Sequence, residues 1–268
     1  MNDENVLVME RPHPQISVLR LNRPNRRNAL NEDLLQALHQ TLATIAEDPS
    51  QRVVILTGSG TAFCAGMDVT SARMREPAQL LPAARLARQQ LFAGVAKRIR
   101  ALPQPVIAAI NGPAAGAGLG MALAADIRIA SHEAQFMVAA IRIGVTAGEC
   151  GISYNLPRLI GASRAFEVML TGRPIDASEA EKIGLISKVI SADSLMNASM
   201  DMAHAILENS PFGVTETKKL MWTNLNASSF DAALDLENRA QIVAAYTEDF
   251  AEATLAFSEK RKAHFKGR

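Results

Sequence analysis

The chain has 268 residues, of which 48% are hydrophobic, 21% are charged and 4% are aromatic, and its formal net charge at pH 7 is +1. A chain so close to neutral produces no overall field that would attract nucleic acid or a membrane surface, and its few aromatic side chains argue against a platform for base stacking. Two cysteines in a chain of this length indicate a reduced, cytoplasmic protein rather than a disulfide scaffold. The polar, acidic start MNDENV is unlike a secretory leader, and we expect none.

The N-terminal part of the sequence predicts two strands and a helix. Residues 6–11 and 16–22 have the composition of strands and flank a turn at Pro12–Pro14. Residues 31–48 have helical apolar spacing, with Asn31 in the N-cap position. The sequence therefore predicts a strand pair followed by an amphipathic helix.

The middle of the chain continues this alternation. RVVILTG (52–58) and PVIAAIN (105–111) are apolar runs with the length of buried strands, and a helix is predicted between them over roughly 79–101. A second helix is predicted from residue 121, followed by a short strand at 126–130. Because helices or long loops separate these strands, we expect crossover connections rather than tight hairpins.

Beyond residue 151 the pattern becomes mostly helical. Apolar residues recur at helical spacing within 163–172, 177–185 and 191–208, and a pair of helices is predicted within 212–262. Alternating strands and helices followed by helices alone indicate the α/β class with a helical C-terminal part. This arrangement favours ligands held at strand ends beside helix N-termini.

Two segments of small residues follow buried strands, LTGSGTAFCAGMDV (56–69) and NGPAAGAGLG (111–120). Each is expected to enter a helix or helical turn, where the first N–H groups have no helical partner. Two such groups aimed at one point would form an oxyanion hole for a carbonyl oxygen that gains negative charge. Close packing of helix against sheet would require the same glycines, and this alternative stays open. The phosphate-binding motif G-x-x-x-x-G-K-[ST] does not occur.

A series of segments, in order along the chain, carries a family resemblance. They are LNRPNRRNALN (21–31), VVILTGSGTAFCAGMDV (53–69), PVIAAINGPAAGAGLGMALAADIRIAS (105–131), QF (135–136), LPRLIGASRAFEVMLTGR (156–173), ASEAEKIGLISKVI (177–190) and AFSEKRKAHFKGR (256–268). Together they resemble the enoyl-CoA hydratase/isomerase family, also called the crotonase family. The resemblance covers essentially the whole chain.

The resemblance implies an α/β fold of crotonase type, a spiral of ββα repeats followed by a helical C-terminal trimerisation region. We expect a core at 1–200 that binds acyl-CoA. A helical region at 201–268 would assemble homotrimers or hexamers and complete the CoA site. Coenzyme A enters as part of the substrate, and neither another cofactor nor a metal is implied.

The resemblance also implies roles for individual residues. The backbone N–H groups of Met67 and Ala117 match the oxyanion-hole positions, with alanine at 117 where the family usually has glycine. The CoA-binding positions are Arg26, Arg27, Asn28, Ala29, Ala65, Asp68, Val69, Phe257 and Lys260. The two arginines and the lysine would supply cations for the phosphates. The last two positions, Phe257 and Lys260, match residues that reach a neighbouring subunit's ligand.

The sequence departs from the family at the acid–base positions. Where family hydratases carry two glutamates, this chain has Gly120 and Ala140. Glu149 instead falls where some members, including dienoyl-CoA isomerases, carry a catalytic aspartate. Its small and apolar neighbours would raise its pKa and suit proton transfer near neutral pH. The alternative is a structural glutamate at the start of the helix that begins near Gly151.

A single carboxylate favours isomerisation of a double bond, because one group can remove a proton and return it at another carbon. Hydration of a 2-enoyl-CoA, which normally needs a second group to position water, is a close alternative. A non-catalytic acyl-CoA binder, a decarboxylase or a thioesterase also stays open, since such proteins share the oxyanion hole. Cys64 and Cys150 border the two loops and are interpreted as structural residues, since neither motif contains a histidine to activate them.

Overall fold

The structure, a computed structural model, describes residues 5–70 and 81–268. Within these ranges the strands are β1 (Leu7–His13), β2 (Ile16–Leu21), β3 (Val53–Gly58), β4 (Val106–Ile110), β5 (Ala114–Ala115), β6 (Ile127–Ser131), β7 (Gln135–Met137), β8 (Ile175–Asp176) and β9 (Lys188–Ile190). The helices are α1 (Glu32–Glu47), α2 (Pro82–Ala101), α3 (Ala117–Ala124), α4 (Ile152–Ile160), α5 (Ala162–Thr171), α6 (Ala177–Lys182), α7 (Leu195–Leu207), α8 (Pro211–Asn224), α9 (Phe230–Ala245) and α10 (Glu248–Ser258). None of the helices in the described ranges is long and apolar enough to cross a membrane.

The main sheet has six strands in the order β1-β2-β3-β4-β6-β9. The first pair is antiparallel and the remaining neighbours are parallel, as crossover connections require. A second sheet contains β5, β7 and β8. Parallel strands end at the same edge, so the loops that follow β3 and β4 emerge side by side.

Both faces of the main sheet are covered, which explains the unbroken apolar runs of its central strands. Val54 and Leu56 of β3 pack in the larger core, with apolar residues of α1, α2 and α3. Val53 and Ile55 point the other way and pack in a smaller core that includes Leu195 of α7. The alternation of strand side chains thus assigns one sheet face to three helices and the other face to α7.

The predicted strands and helices of the N-terminal and middle parts are confirmed, with boundaries shifted by a few residues. The Asn31 side chain accepts a hydrogen bond from Leu34 N–H and caps α1 as predicted. Positions 79 and 80 of the predicted second helix lie outside the described residues. Helix α3 begins at Ala117 rather than at 121, because tertiary packing overrides the low helix propensity of its glycines.

The C-terminal part corrects one prediction, since three helices rather than a pair follow residue 210. Helix α8 attaches to the core through Asp126, which forms an ion pair with Lys218 at 2.8 Å and accepts a hydrogen bond from Trp222 at 2.7 Å. Helix α9 buries none of its residues within the single chain. The predicted junction between 200 and 201 lies inside α7, and the division into two regions stays a prediction.

Candidate active site

The loops that follow β3 and β4 are bound to each other through their backbones. Ala115 N–H donates to Cys64 O at 2.9 Å, and Pro113 O accepts from Cys64 N–H at 3.1 Å. A Cβ on Gly118 would lie 2.3 Å from Cys64 O, and one on Gly112 would lie 2.2 Å from Thr61 O. These two glycines therefore permit the close backbone packing that the sequence left open as an alternative.

The loop that carries Met67 lies against the start of α3, where Ala117 is found. A Cβ built on Gly66, which precedes Met67, would lie 3.5 Å from the backbone nitrogen of Ala117. Neither the Met67 nor the Ala117 N–H donates a hydrogen bond to any residue in the described ranges. The left-handed φ angles fall on Gly66 and Gly116, at +85° and +49°. Alanine at 117 is therefore compatible with the backbone.

Glu149 approaches the same point from the turn before α4. A Cβ on Gly116 would lie only 3.0 Å from Glu149 Oε1, so the carboxylate lies beside the residue that precedes Ala117. The half-buried carboxylate has no hydrogen-bond partner in the described part of the chain, and burial raises its pKa. Ile152 N–H at the start of α4 bonds to the backbone oxygen of Glu149 and not to its side chain.

The two positions that resemble the hydratase glutamates hold no acid. A Cβ on Gly120 would lie 2.6 Å from Cys150 Cβ and 2.8 Å from Cys150 O, so this position has no room for a side chain. Ala140 is 5% exposed and has an apolar side chain. Glu149 is thus the only carboxylate at these three positions.

Asp68 and Asn28 use their side chains to hold the loops. Asp68 Oδ2 pairs with Arg23 Nη2 at 2.9 Å, and Asp68 Oδ1 accepts from the Thr70 hydroxyl at 2.7 Å. Burial opposes ionisation, but the hydrogen bonds from Thr70 and Arg23 hold the pKa of Asp68 below its ordinary value. Asn28 is fully buried and donates to the backbone oxygens of Ser59 and Ala62.

The segment that contains the two arginines lies against the loop after β3. Ala65 N–H donates to Arg27 O at 3.0 Å, and Ala29 is buried nearby. Arg26 and Arg27 are exposed, and their side chains form no hydrogen bond or ion pair with any described residue. Val69 is exposed on the same loop. The structure therefore brings together the predicted CoA-binding positions of the N-terminal part.

The two C-terminal positions of the predicted site lie elsewhere. Phe257 is 87% exposed near the end of α10, and Lys260 follows that helix with a left-handed φ of +55°. No hydrogen bond or ion pair in the described ranges joins either residue to the loops at 26–29 and 65–69 of the same chain. Their predicted contact with a neighbouring subunit stays a prediction.

Sequence reasoning missed two features of this region. The ion pair between Arg23 and Asp68 joins residues 45 positions apart, and no local pattern indicates it. Cys150 adopts a left-handed φ of +46°, which its residue type does not predict. Burial raises the pKa of both Cys64 and Cys150 to about 12, so their thiols stay protonated, as expected of structural residues.

A groove of about 800 Å³ lies at the other end of α3, between α4 and α8. Leu123, Asp126, Lys218 and Trp222 line part of it. None of the predicted site residues lines this groove. No cluster of histidine, cysteine, aspartate and glutamate side chains in the described ranges has the geometry of a metal site.

Comparisons with known proteins agree with the resemblance. A sequence profile of the family described as enoyl-CoA hydratase/isomerase matches residues 12–268. The chain is 43% identical over 259 residues to the probable enoyl-CoA hydratase echA12 of Mycobacterium leprae (strain TN), covering 96% of this chain and 88% of the relative. It is 33% identical over 253 residues to 1,2-epoxyphenylacetyl-CoA isomerase of Escherichia coli (strain K12), covering 94% of this chain and 95% of that protein.

The fold agrees as well. The crystal structure of a probable enoyl-CoA hydratase/isomerase from Mycobacterium abscessus superposes with a TM-score of 0.90 at 40% identity, covering 98% of this chain and 99% of that one. The crotonase-type α/β fold predicted from the sequence is therefore confirmed. Names of a hydratase and of an isomerase both occur among these relatives, and the chain belongs to the enoyl-CoA hydratase/isomerase family of acyl-CoA enzymes.

Proposed function

We propose that the protein isomerises the double bond of an enoyl-CoA thioester through an enolate. The observation that carries this proposal is the position of Glu149. Its carboxylate lies beside Gly116, the residue before Ala117, whose N–H has no hydrogen-bond acceptor within the described ranges, whereas Cys150 fills the space that a side chain at position 120 would need.

In the proposed reaction the N–H groups of Met67 and Ala117 bind the thioester oxygen. Glu149 removes a proton from the carbon between the thioester carbonyl and the double bond, and the electrons of that C–H bond pass to the thioester oxygen, which gives an enolate conjugated with the double bond. Return of the proton at another carbon completes the shift of the double bond without a net change in atoms. Each fixed donor contributes about 3 kcal/mol to stabilising the enolate, by comparison with oxyanion holes in general.

Hydration would add water across the double bond and normally requires a second group that holds the water. The two positions that could supply a second carboxylate are Gly120, which is closed by Cys150, and the apolar Ala140. Asp68, the acid of the loop after β3, is engaged by Arg23 and Thr70. These three observations favour isomerisation over hydration.

Ultraviolet absorbance of the conjugated thioester distinguishes the two reactions. With a 3-enoyl-CoA we expect the signal to rise as the double bond moves into conjugation. With a 2-enoyl-CoA we expect no fall of the kind that hydration produces. A fall with the 2-enoyl substrate and no rise with the 3-enoyl substrate would overturn the proposal in favour of hydration.

Silence with both substrates would favour the other hypotheses. A non-catalytic acyl-CoA binder would then show binding by calorimetry and no turnover. Decarboxylation or thioester hydrolysis would be recognised by the release of carbon dioxide or of a free CoA thiol. Either result would retain the oxyanion hole and reject isomerisation.

We further propose that the protein is a homotrimer or a hexamer, and that it works in the cytoplasm, where its two buried cysteines stay free thiols. Helix α9 buries nothing within the chain, and large apolar side chains of α9 and α10 are exposed, which is unusual for a stable monomer. We expect light scattering to give three or six times the mass of the chain. A monomer would contradict the assembly and the predicted contribution of Phe257 and Lys260 to a neighbouring site.

A further inference from the structure

The turn that carries Glu149 has an unusual backbone. Cys150 has a φ of +46° and Gly151 a φ of +81°, so two consecutive residues occupy the left-handed region. Glycine adopts this region freely, but a residue with a Cβ does so at a cost. The surrounding structure must therefore hold residue 150 in this conformation.

The side chain of Cys150 is buried against α3. It is 5% exposed, and its Cβ lies where a Cβ on Gly120 would be only 2.6 Å away. Gly120 N–H donates to Gly116 O at 3.0 Å, so Gly120 lies one helical turn after Gly116, the residue that caps the N-terminus of α3. Cys150 thus contacts Gly120, while the carboxylate of the preceding residue, Glu149, lies beside Gly116.

We propose that Cys150 is a positioning residue whose side chain, seated on Gly120, holds the turn so that the Glu149 carboxylate lies beside Gly116. The inference rests on the proposed function, because it assigns Cys150 a role in aligning the proposed base. It also explains why position 120 lacks a side chain, since any Cβ there would displace Cys150 and the backbone that carries Glu149.

The thiol itself performs no chemistry in this proposal. Cys150 is only 5% exposed, burial raises the pKa of its thiol to about 12, and the described histidines lie outside both site loops. What matters is the volume of the side chain and its contact with α3. A side chain of the same size should therefore hold the turn as cysteine does, whereas removal of the side chain should release it.

Cys150→Gly removes the side chain without adding backbone strain, because glycine accepts the left-handed φ without cost. Its effect therefore reports on the side chain alone. We expect kcat to fall at least about tenfold with KM for the acyl-CoA changed little, since misalignment of a reacting group affects turnover more than binding. We also expect the acidic limb of the pH–rate profile to move to lower pH as the released carboxylate becomes better solvated. Cys150→Ser should restore most of kcat.

Gly120→Ala provides a second approach from the opposite side of the contact. Its Cβ would press on Cys150, and we expect the same loss of kcat. The double variant Gly120→Ala/Cys150→Gly should lose little more activity than Gly120→Ala alone, because both changes break the same contact and the added Cβ would still lie 2.8 Å from the backbone oxygen of residue 150. Circular dichroism and thermal unfolding would verify that each variant is folded.

The positioning role and the proposed function fail in different ways. If Glu149→Gln is inactive while Cys150→Gly keeps wild-type kcat and an unshifted pH profile, Cys150 has no positioning role and the proposed base stands. If Glu149→Gln keeps full activity, the proposed function itself is wrong. Additive effects of the Gly120 and Cys150 substitutions would likewise overturn the inference.

Discussion

Glu149→Gln is expected to lower kcat by about 10³-fold, the typical contribution of a positioned general base, while acyl-CoA binding stays within a few-fold. The amide has the size of the carboxylate but cannot accept the proton. Binding should persist because the predicted CoA contacts come from the segment at 26–29 and the loop at 65–69, which Glu149 does not touch through any described hydrogen bond. Steady-state kinetics and calorimetry with a non-reactive acyl-CoA would measure the two quantities.

The pH dependence gives the same prediction a second readout. Burial raises the pKa of Glu149, and the base must be ionised to act. Activity should therefore fall as the pH drops through this raised pKa, so that the acidic limb of kcat/KM lies above the ordinary range of a glutamate. An acidic limb in the ordinary range would show that a different or exposed group is titrating.

Stability supplies the control for folding. A carboxyl whose pKa is raised in the folded state contributes stability below its unfolded pKa, and this contribution is lost as the pH rises through the folded pKa. Above the folded-state pKa the ionised Glu149 therefore costs stability, and Glu149→Gln should there unfold at the same temperature or higher. Glu149→Asp keeps a carboxylate on a shorter side chain and should retain more activity than the glutamine variant. Full activity of Glu149→Gln would show that the assignment of the base is wrong.

Gly118→Ala is the second substitution with a large expected effect. Alanine is favoured over glycine in a helix by about 1 kcal/mol, so propensity alone predicts a more stable protein. The structure predicts the opposite, because the new Cβ would lie 2.3 Å from Cys64 O and 2.9 Å from Cys64 C. The loop after β3 would have to move away from α3. We expect a loss of about 2 kcal/mol in the free energy of unfolding, as for other overpacked sites.

Activity should respond more strongly than stability to Gly118→Ala. The loop that moves carries Met67, one of the two proposed donors, and a shift of about 1 Å in catalytic geometry can cost about 10²-fold in rate. Gly213→Ala in α8 is the matched control, since its Cβ would meet nothing closer than Ser210 Cβ at 3.8 Å. The control should leave activity unchanged and stability equal or higher. Equal behaviour of the two variants would show that the loop contact does not hold the donors.

The amino-acid sequence was sufficient for the main elements of the fold. The apolar runs of β3 and β4 are unbroken because both faces of the sheet are covered, and such runs are read directly from the residues. The cap of α1 at Asn31 was predictable because it needs only an oxygen side chain before an amphipathic helix. The short strands β5 and β8 escaped prediction, since two residues are too few to show a period.

By itself, the sequence also determined which family the chain resembles and which residues match the proposed site, because segments in a fixed order carry that information locally. Only the tertiary structure decided which of those side chains are available. Asn28 and Asp68 bind their own loops, whereas Glu149 has no partner within the described ranges and lies beside Gly116. It also decided that position 120 is closed by Cys150. These contacts join residues that are far apart in the chain. They depend on close packing of backbone segments and on the left-handed φ of Cys150, and local propensity predicts neither feature.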